Sequence, residues 1–240
     1  MELYKIEDLV EGIFISRPNR YIAEVLIEGN VEVVHVHDPG RLKELLFPQN
    51  RVLVKHMPGE KRKTKWDMIA AQKGDAFVLV HSGIHRYIAE ALLKNETLNP
   101  FGVFTKMKPE ATYGKSRIDF FATVTEKDGA DSEIWVEVKG CSLSIDGVAQ
   151  FPDAPTVRGT RHLEELISIK KSGARAGVLL LVLSESHVFV PKRDTDPKFY
   201  EAFYRALDSG VEIYPVKVIL KPTGALEYRG LVPIKEVENE

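Results

Sequence analysis

Residues 113–140 read YGKSRIDFFATVTEKDGADSEIWVEVKG, and two apolar runs inside this stretch decide the fold. The first, Phe120 to Val124, follows Asp119 directly, and a polar segment, 125–131, reads as a hairpin loop. The second run returns from Glu133 to Val138 with Ile134, Val136 and Val138 on one face and Trp135, Glu137 and Lys139 on the other. Pairing of the two runs through the loop sets Asp119 opposite Glu137, near the C-terminal end of the return strand.

Two carboxylates and an ammonium group at one end of a hairpin suit phosphodiester hydrolysis. A polyanion has to meet a nucleophile there while a leaving oxygen gains charge. Asp119 and Glu137 can hold Mg²⁺, or Mn²⁺ in its place, through hard oxygen ligands, and Lys139 can position water or stabilise developing charge. The Val138 carbonyl can add a ligand from the backbone, and Glu90 can add a carboxylate from a neighbouring helix.

The chain outside this stretch divides in two. With 240 residues, 44% hydrophobic and 28% charged, it can bury one large core or two smaller ones. A net charge of -2 makes any nucleic-acid surface a local one. The lone cysteine, Cys141, excludes an intrachain disulfide and a multi-cysteine zinc site. Together with an N-terminus that lacks the pattern of a signal peptide, it points to the cytoplasm, and no apolar run is long enough for a membrane span.

Residues 1–83 form the first unit, with short β-prone runs at 12–16, 21–27, 31–36, 51–56 and 76–80. A turn is expected at Gly29-Asn30, and a short helix at 41–46. This pattern suits an oligonucleotide-binding (OB) barrel, and an SH3-like barrel equally well. His35 and His37 share a strand face, but the simpler role for this region is the Asp38-Pro39-Gly40 turn. Lys61, Arg62, Lys63 and Lys65 precede Trp66, a loop composition that suits a nucleic-acid backbone with a stacking surface beside it; Arg17, Arg20 and Arg41 extend the basic patch.

Residues 84–240 form the second unit. A helix is expected over 84–94 with Ser82 as its cap, and another after Thr156, bearing Leu163, Leu166 and Ile167 inward. Arg158, Arg161, His162 and Glu165 lie on an adjoining face, where the arginines can grip phosphate and His162 can order water. Residues 176–183 read as a buried central strand, 197–207 as a helix, and 211–220 as an edge strand because of Pro215.

Asp119 followed by Glu137-Val138-Lys139 resembles the PD-(D/E)xK nuclease superfamily, although Arg117-Ile118-Asp119 stands where its members carry Pro-Asp. The wider pattern of Asp38-Pro39-Gly40-Arg41-Leu42, Tyr113 to Phe120, Glu137 to Gly140, Phe151-Pro152-Asp153-Ala154 and Arg158-Gly159 with His162-Leu163 resembles the SfsA family, the sugar fermentation stimulation proteins. That resemblance implies an α/β fold plus a small all-β domain, with an N-terminal OB-fold barrel followed by a PD-(D/E)xK, restriction-endonuclease-like domain with a mixed sheet. It also implies DNA as partner, with RNA as a second candidate. The expected function is DNA binding with Mg²⁺-dependent hydrolysis; a non-enzymatic regulator of sugar-utilisation genes and a protein-interaction scaffold are the alternatives. A homodimer is compatible with the sequence.

Overall fold

The architecture was obtained as a computed structural model that describes residues 1–60, 62–114, 116–126 and 128–235. Lys61, one of the expected nucleic-acid contacts, lies outside the described residues. In chain order the elements of the first half are β1 (Glu2–Lys5), β2 (Leu9–Asn19), β3 (Ile22–Ile27), β4 (Asn30–His35), β5 (Arg51–His56), β6 (Trp66–Lys73), β7 (Ala76–Leu79) and α1 (Ser82–Leu93). There follow β8 (Phe104–Tyr113), β9 (Ser116–Thr125), β10 (Asp131–Cys141), β11 (Ser144–Ile145), β12 (Val148–Phe151) and α2 (Val157–Lys171). The chain ends with β13 (Arg175–Val182), β14 (Val188–Pro191), α3 (Pro197–Asp208), β15 (Glu212–Leu220) and β16 (Ala225–Leu231).

Strands β2 to β6 close into a barrel of OB type. β2 pairs with β3 and β5, β3 with β4, β5 with β6, and a short parallel contact between β4 and β6 completes the ring. Closure removes exposed strand edges, and Phe14, Val25, Val34, Val52, Val54 and Met68 are buried. The β3–β4 turn is centred on Glu28 and Gly29, with φ of 49° and 84°, as a tight hairpin matching strand twist requires. Asn30 therefore begins β4 instead of completing the turn.

Three expectations are corrected in this half. The fifth barrel strand is β6, not 76–80; its Met68-Ile69-Ala70-Ala71 run is buried on both faces, so no alternation marks it. Residues 41–46 make a turn rather than a helix, with the N–H groups of Leu45 and Leu46 donating to the Leu42 carbonyl at 3.0 and 2.7 Å. The N-cap of α1 is His81, without a side-chain cap, while the Ser82 hydroxyl donates to the His37 carbonyl at 2.8 Å.

The second half is a mixed sheet with helices on both faces. β8, β9 and β10 form an antiparallel meander, and β13 and β15 follow parallel to β10. Its strand β15 also contacts β7, so one continuous ladder joins the barrel to the α/β unit. Helix α1 and the barrel share one core with Phe120, Ile134 and Val136, while α2 and α3 pack a second core against Val178, Leu180 and Val182. Strand β15 pairs with β13 on one side and β16 on the other, so Pro215 does not mark an edge. Its missing N–H falls beside a register shift in the β16 ladder, and its carbonyl accepts from Val232 at 2.9 Å.

The end of the sheet opposite Glu137 is fixed by Arg175. Its guanidinium forks onto Glu212 through two bonds of 2.8 Å and reaches Glu126 in the β9–β10 loop at 2.9 Å. The loop and the parallel strands are thereby tied together, leaving the other end of β10 to build a cleft.

Candidate active site

Strand β9 pairs with β10 through Phe121 opposite Trp135 and Phe120 opposite Val136, and this ladder stops just before Asp119. Asp119 therefore keeps the face of Phe121 while its carboxylate turns to the neighbouring backbone, accepting the Val138 N–H at 2.7 Å. Ile118 and Phe120, the residues on either side, are fully buried and lock this segment in place. The site lies on the C-terminal half of β10, toward the end where sites among parallel strands usually sit.

Glu137 is buried, and one of its oxygens meets both the Lys139 ammonium and His162 Nδ1. Its other oxygen, Oε2, is sealed from solvent and has no hydrogen-bond partner among the described residues. His162 comes from the first turns of α2, and Lys139 Nζ stands 3.4 Å from its Nδ1. With the Nδ1 proton directed at Glu137, Nε2 keeps a lone pair for Arg158 Nε, 3.4 Å away. The sequence places Glu137 and His162 some distance apart; packing of α2 on β10 makes them partners.

The two carboxyls differ electrostatically. Burial, and then the Glu137 charge, pushes the Asp119 carboxyl above the usual range, against the opposing Val138 N–H and Lys139. Burial also works against Glu137, but His162 and Lys139 outweigh it and hold the carboxyl below the usual range. These groups face a cleft of about 440 Å³ lined by Asp119, Glu137, Val138, Lys139 and Arg158, with Pro39 from the barrel and Thr156 from the start of α2. Thr156 caps that helix by accepting the Gly159 N–H at 3.0 Å, and the positive end of α2 favours an anion in the cleft.

Three ionisable cleft residues have no counterpart among the sequence candidates: His85 and Arg86, from the first turn of α1, and Glu110 of β8, whose carboxylate lies 3.8 Å from Arg86. His85 Nε2 is sealed and unpartnered among the described residues, although the residue as a whole keeps some exposed surface. The sequence sign for it was Gly140: a Cβ there would lie 2.1 Å from His85 Cε1, so only glycine lets the ring reach the strand. Burial, followed by the nearby His81 charge, pushes the His85 imidazole down to about 4. The ring is neutral in the folded chain and takes a proton on unfolding, so its stabilising contribution is complete above about pH 6.5 and is lost as pH falls toward 4. From about pH 7.5 to about pH 5 the loss is about 2 kcal/mol. Urea unfolding at both pH values should show it in the wild type, and His85→Asn should lack this component.

The remaining candidates are scattered. Glu90 lies more than a helical turn beyond His85, bonded to Lys94 at 2.6 Å, and does not line the cleft. Arg17 is part of the barrel's framework, its guanidinium donating to the carbonyls of Gly40, Arg41, Arg20 and Asp38 at 2.7 to 3.0 Å. Arg20 lines a separate cavity of about 290 Å³ beside Asp38 and Asp153, and Arg41 is exposed. Arg62 pairs with Asp67, Lys63 and Lys65 are exposed, and Trp66 is half-buried against the barrel core and His56. Arg161 lies outside the cleft lining, 3.7 Å from Glu165, whose carboxylate also accepts from the Ser116 hydroxyl.

Comparison with known proteins identifies two family domains in the chain. Residues 15–80 match the SfsA N-terminal OB domain, and residues 83–224 match the sugar fermentation stimulation protein RE domain. A sugar fermentation stimulation protein homolog of Thermosipho melanesiensis is 45% identical over 216 residues, covering 90% of each chain. One from Methanococcoides burtonii is 40% identical over 232 residues, covering 94% of this chain and 92% of the relative. The solved structure of Pyrococcus furiosus SfsA in complex with Ca²⁺ superposes with a TM-score of 0.87 at 28% identity, over 98% of this chain and all of that one. Carrying both family domains in order, the chain belongs to the sugar fermentation stimulation protein family.

Proposed function

We propose that the chain binds nucleic acid, DNA foremost, and hydrolyses its phosphodiester bonds with the help of Mg²⁺ or Mn²⁺. The observation that carries this reading is the convergence of Asp119, Glu137 and Lys139 on one cleft with Glu137 Oε2 buried and unpartnered. A buried carboxylate oxygen with no donor calls for a cation. Asp119, Glu137 Oε2 and the Val138 carbonyl form an all-oxygen donor set that fits a hard divalent ion. When bound, such an ion polarises the phosphodiester and makes water more acidic. The Ca²⁺ held by the Pyrococcus furiosus relative supports a divalent cation in this fold.

The protein's own groups do the rest. Arg158 and the N-terminus of α2 receive the phosphate, and Arg86 adds positive charge from α1. Lys139, held by Glu137 in the resting chain, is placed to donate to a phosphate oxygen or to the attacking water as negative charge builds. His162 keeps Glu137 oriented from behind, with Arg158 fixing its tautomer. The barrel contributes Pro39 to the cleft wall and carries exposed Lys63 and Lys65 for the backbone of a longer substrate. We assign the protein to the cytoplasm on its unpaired cysteine; no helix among the described residues is long and apolar enough to cross a membrane.

Purified chain should be tested on single-stranded, duplex and branched DNA and on RNA, with Mg²⁺, Mn²⁺ or chelator. Metal-stimulated cleavage that disappears in Asp119→Ala and Lys139→Ala supports the assignment; equal activity in all three proteins sinks it. A second reading, binding without cleavage, draws on the way Lys139 and His162 already satisfy one Glu137 oxygen. Salt-sensitive binding with no cleavage on any substrate would select it. In either case, replacing Lys63 and Lys65 with glutamine should reduce the slope of log affinity against log salt by about 2, one unit for each phosphate no longer neutralised. An unchanged slope would remove this loop from the interface.

A further inference from the structure

A second group of ligating side chains lies on the barrel, apart from the cleft. His35 ends β4, His37 follows two residues later, and Asp67 is the second residue of β6. The parallel contact that closes the barrel sets His35 opposite Asp67. His37 Nε2 approaches Asp67 Oδ2 to 3.1 Å, and His81, at the start of α1, brings its Nε2 to 3.9 Å from the same oxygen. The rings stack in series, His35 on His37 at 4.2 Å and His37 on His81 at 3.8 Å. One ligand atom from each of His35, His37 and Asp67 falls within 4.8 Å of the others.

We propose that this cluster is a transition-metal site that takes Zn²⁺, with His35, His37 and Asp67 as ligands and His81 or water in the fourth position. Imidazole nitrogens with a single carboxylate suit a borderline ion such as zinc, whereas the all-oxygen cleft suits a hard one. Tetrahedral zinc with bonds of about 2.0 to 2.1 Å spaces its ligand atoms about 3.3 Å apart. The His37–Asp67 pair is already at that spacing, and His35 would have to tilt out of its stack on His37 to aim its lone pair at the same ion.

The surroundings orient these groups toward one another. Asp67 is almost wholly buried, and Arg62 holds its Oδ1, leaving Oδ2 directed at the imidazoles. Despite its approach to that oxygen, His37 Nε2 is sealed without a well-formed hydrogen bond, and His81 Nδ1 is likewise unpartnered among the described residues. The His37 side chain retains 27% of its exposure, giving an ion a way in. Because the His37 carbonyl accepts from Ser82 and Pro39 lines the cleft, a metal here would brace the barrel wall against α1 beside the cleft.

The test is titration of the metal-stripped full chain with Co²⁺, a visible stand-in for Zn²⁺. The expected result is one equivalent giving the intense absorption of four-coordinate cobalt with nitrogen ligands, displaced by Zn²⁺ and retained in the Asp119→Ala, Glu137→Ala double variant. His35→Gln and His37→Gln should each lose the band or weaken binding at least tenfold. Asp67→Asn strips Arg62 of a buried partner and risks the fold, so the two histidine variants, confirmed folded by circular dichroism, carry the test. No such band in the wild type, or a band unchanged in both histidine variants, overturns the proposal. Since the readout is metal binding, nuclease activity has no bearing on it.

Discussion

Replacing Glu137 with glutamine is expected to lower metal-stimulated cleavage by about 10³-fold while leaving nucleic-acid affinity within about threefold. The amide keeps the volume of a buried side chain but removes the charge that both Lys139 and His162 meet. It also turns the unpartnered Oε2 into a neutral group, so the oxygen donor set loses half of its carboxylate charge. Affinity should survive because phosphate is met by Arg158, the start of α2 and the barrel loop, of which only Arg158 is linked to Glu137, through His162. Lys139→Ala should show the same split, with catalysis abolished and binding kept. Single-turnover cleavage and equilibrium binding on the same substrate check both. Affinity falling in step with rate would make Glu137 a binding residue instead.

Gly140→Val is expected to destabilise the fold by about 3 kcal/mol and to abolish cleavage together with it. A Cβ at this position would fall 2.1 Å from His85 Cε1 and 2.6 Å from its Nδ1, closer than packed atoms come. The ring cannot yield freely, because it is carried by α1, whose Ile84 and Ile88 are buried, and its Nε2 is sealed from solvent. Either α1 shifts away from β10, taking Ser82 and Arg86 from the cleft, or β10 bends at the residue following Lys139. Chemical denaturation measures the loss. In the Gly140→Val, His85→Gly double variant, space is restored and most of the stability should return; no recovery would show that the clash lies elsewhere.

The hairpin was legible because its alternation is clean: Ile134, Val136 and Val138 inward toward α1, Glu137 and Lys139 toward α2, with Asp119 on the facing strand. Helices α2 and α3 were equally plain, since Thr156 and Asp196 cap them with their side chains and their apolar stripes keep helical spacing. The barrel was readable as a class but not strand by strand. Strand β6 is buried on both faces, so its apolar run lacks the alternation that marks a half-buried strand. The turn at 41–46 has the leucine spacing of a helix because Leu42 and Leu45 must reach the same core, but Leu42 at φ 49° breaks the helical path.

Site residues divide the same way. Those on one hairpin were found from periodicity, and His162 from its helix face. Glu90 has the charge of a metal ligand, but the turn of α1 that faces the cleft holds His85 and Arg86 instead. His35 and His37 were seen together on one strand face, whereas Asp67 and His81 reach them only through barrel closure and the placement of α1. Long-range packing of this kind leaves no periodic mark in the chain.

Whether Asp119 and Glu137 jointly hold a divalent ion is the direct test of the site on which the proposed hydrolysis depends. Electron paramagnetic resonance can count free Mn²⁺ as it is titrated into metal-stripped chain carrying His35→Gln, so that the histidine cluster contributes nothing. A shared carboxylate site predicts saturable binding of Mn²⁺, competed by Mg²⁺, with affinity reduced at least tenfold by Asp119→Asn and again by Glu137→Gln. Mn²⁺ binding that is absent, or unchanged by both substitutions, would contradict it.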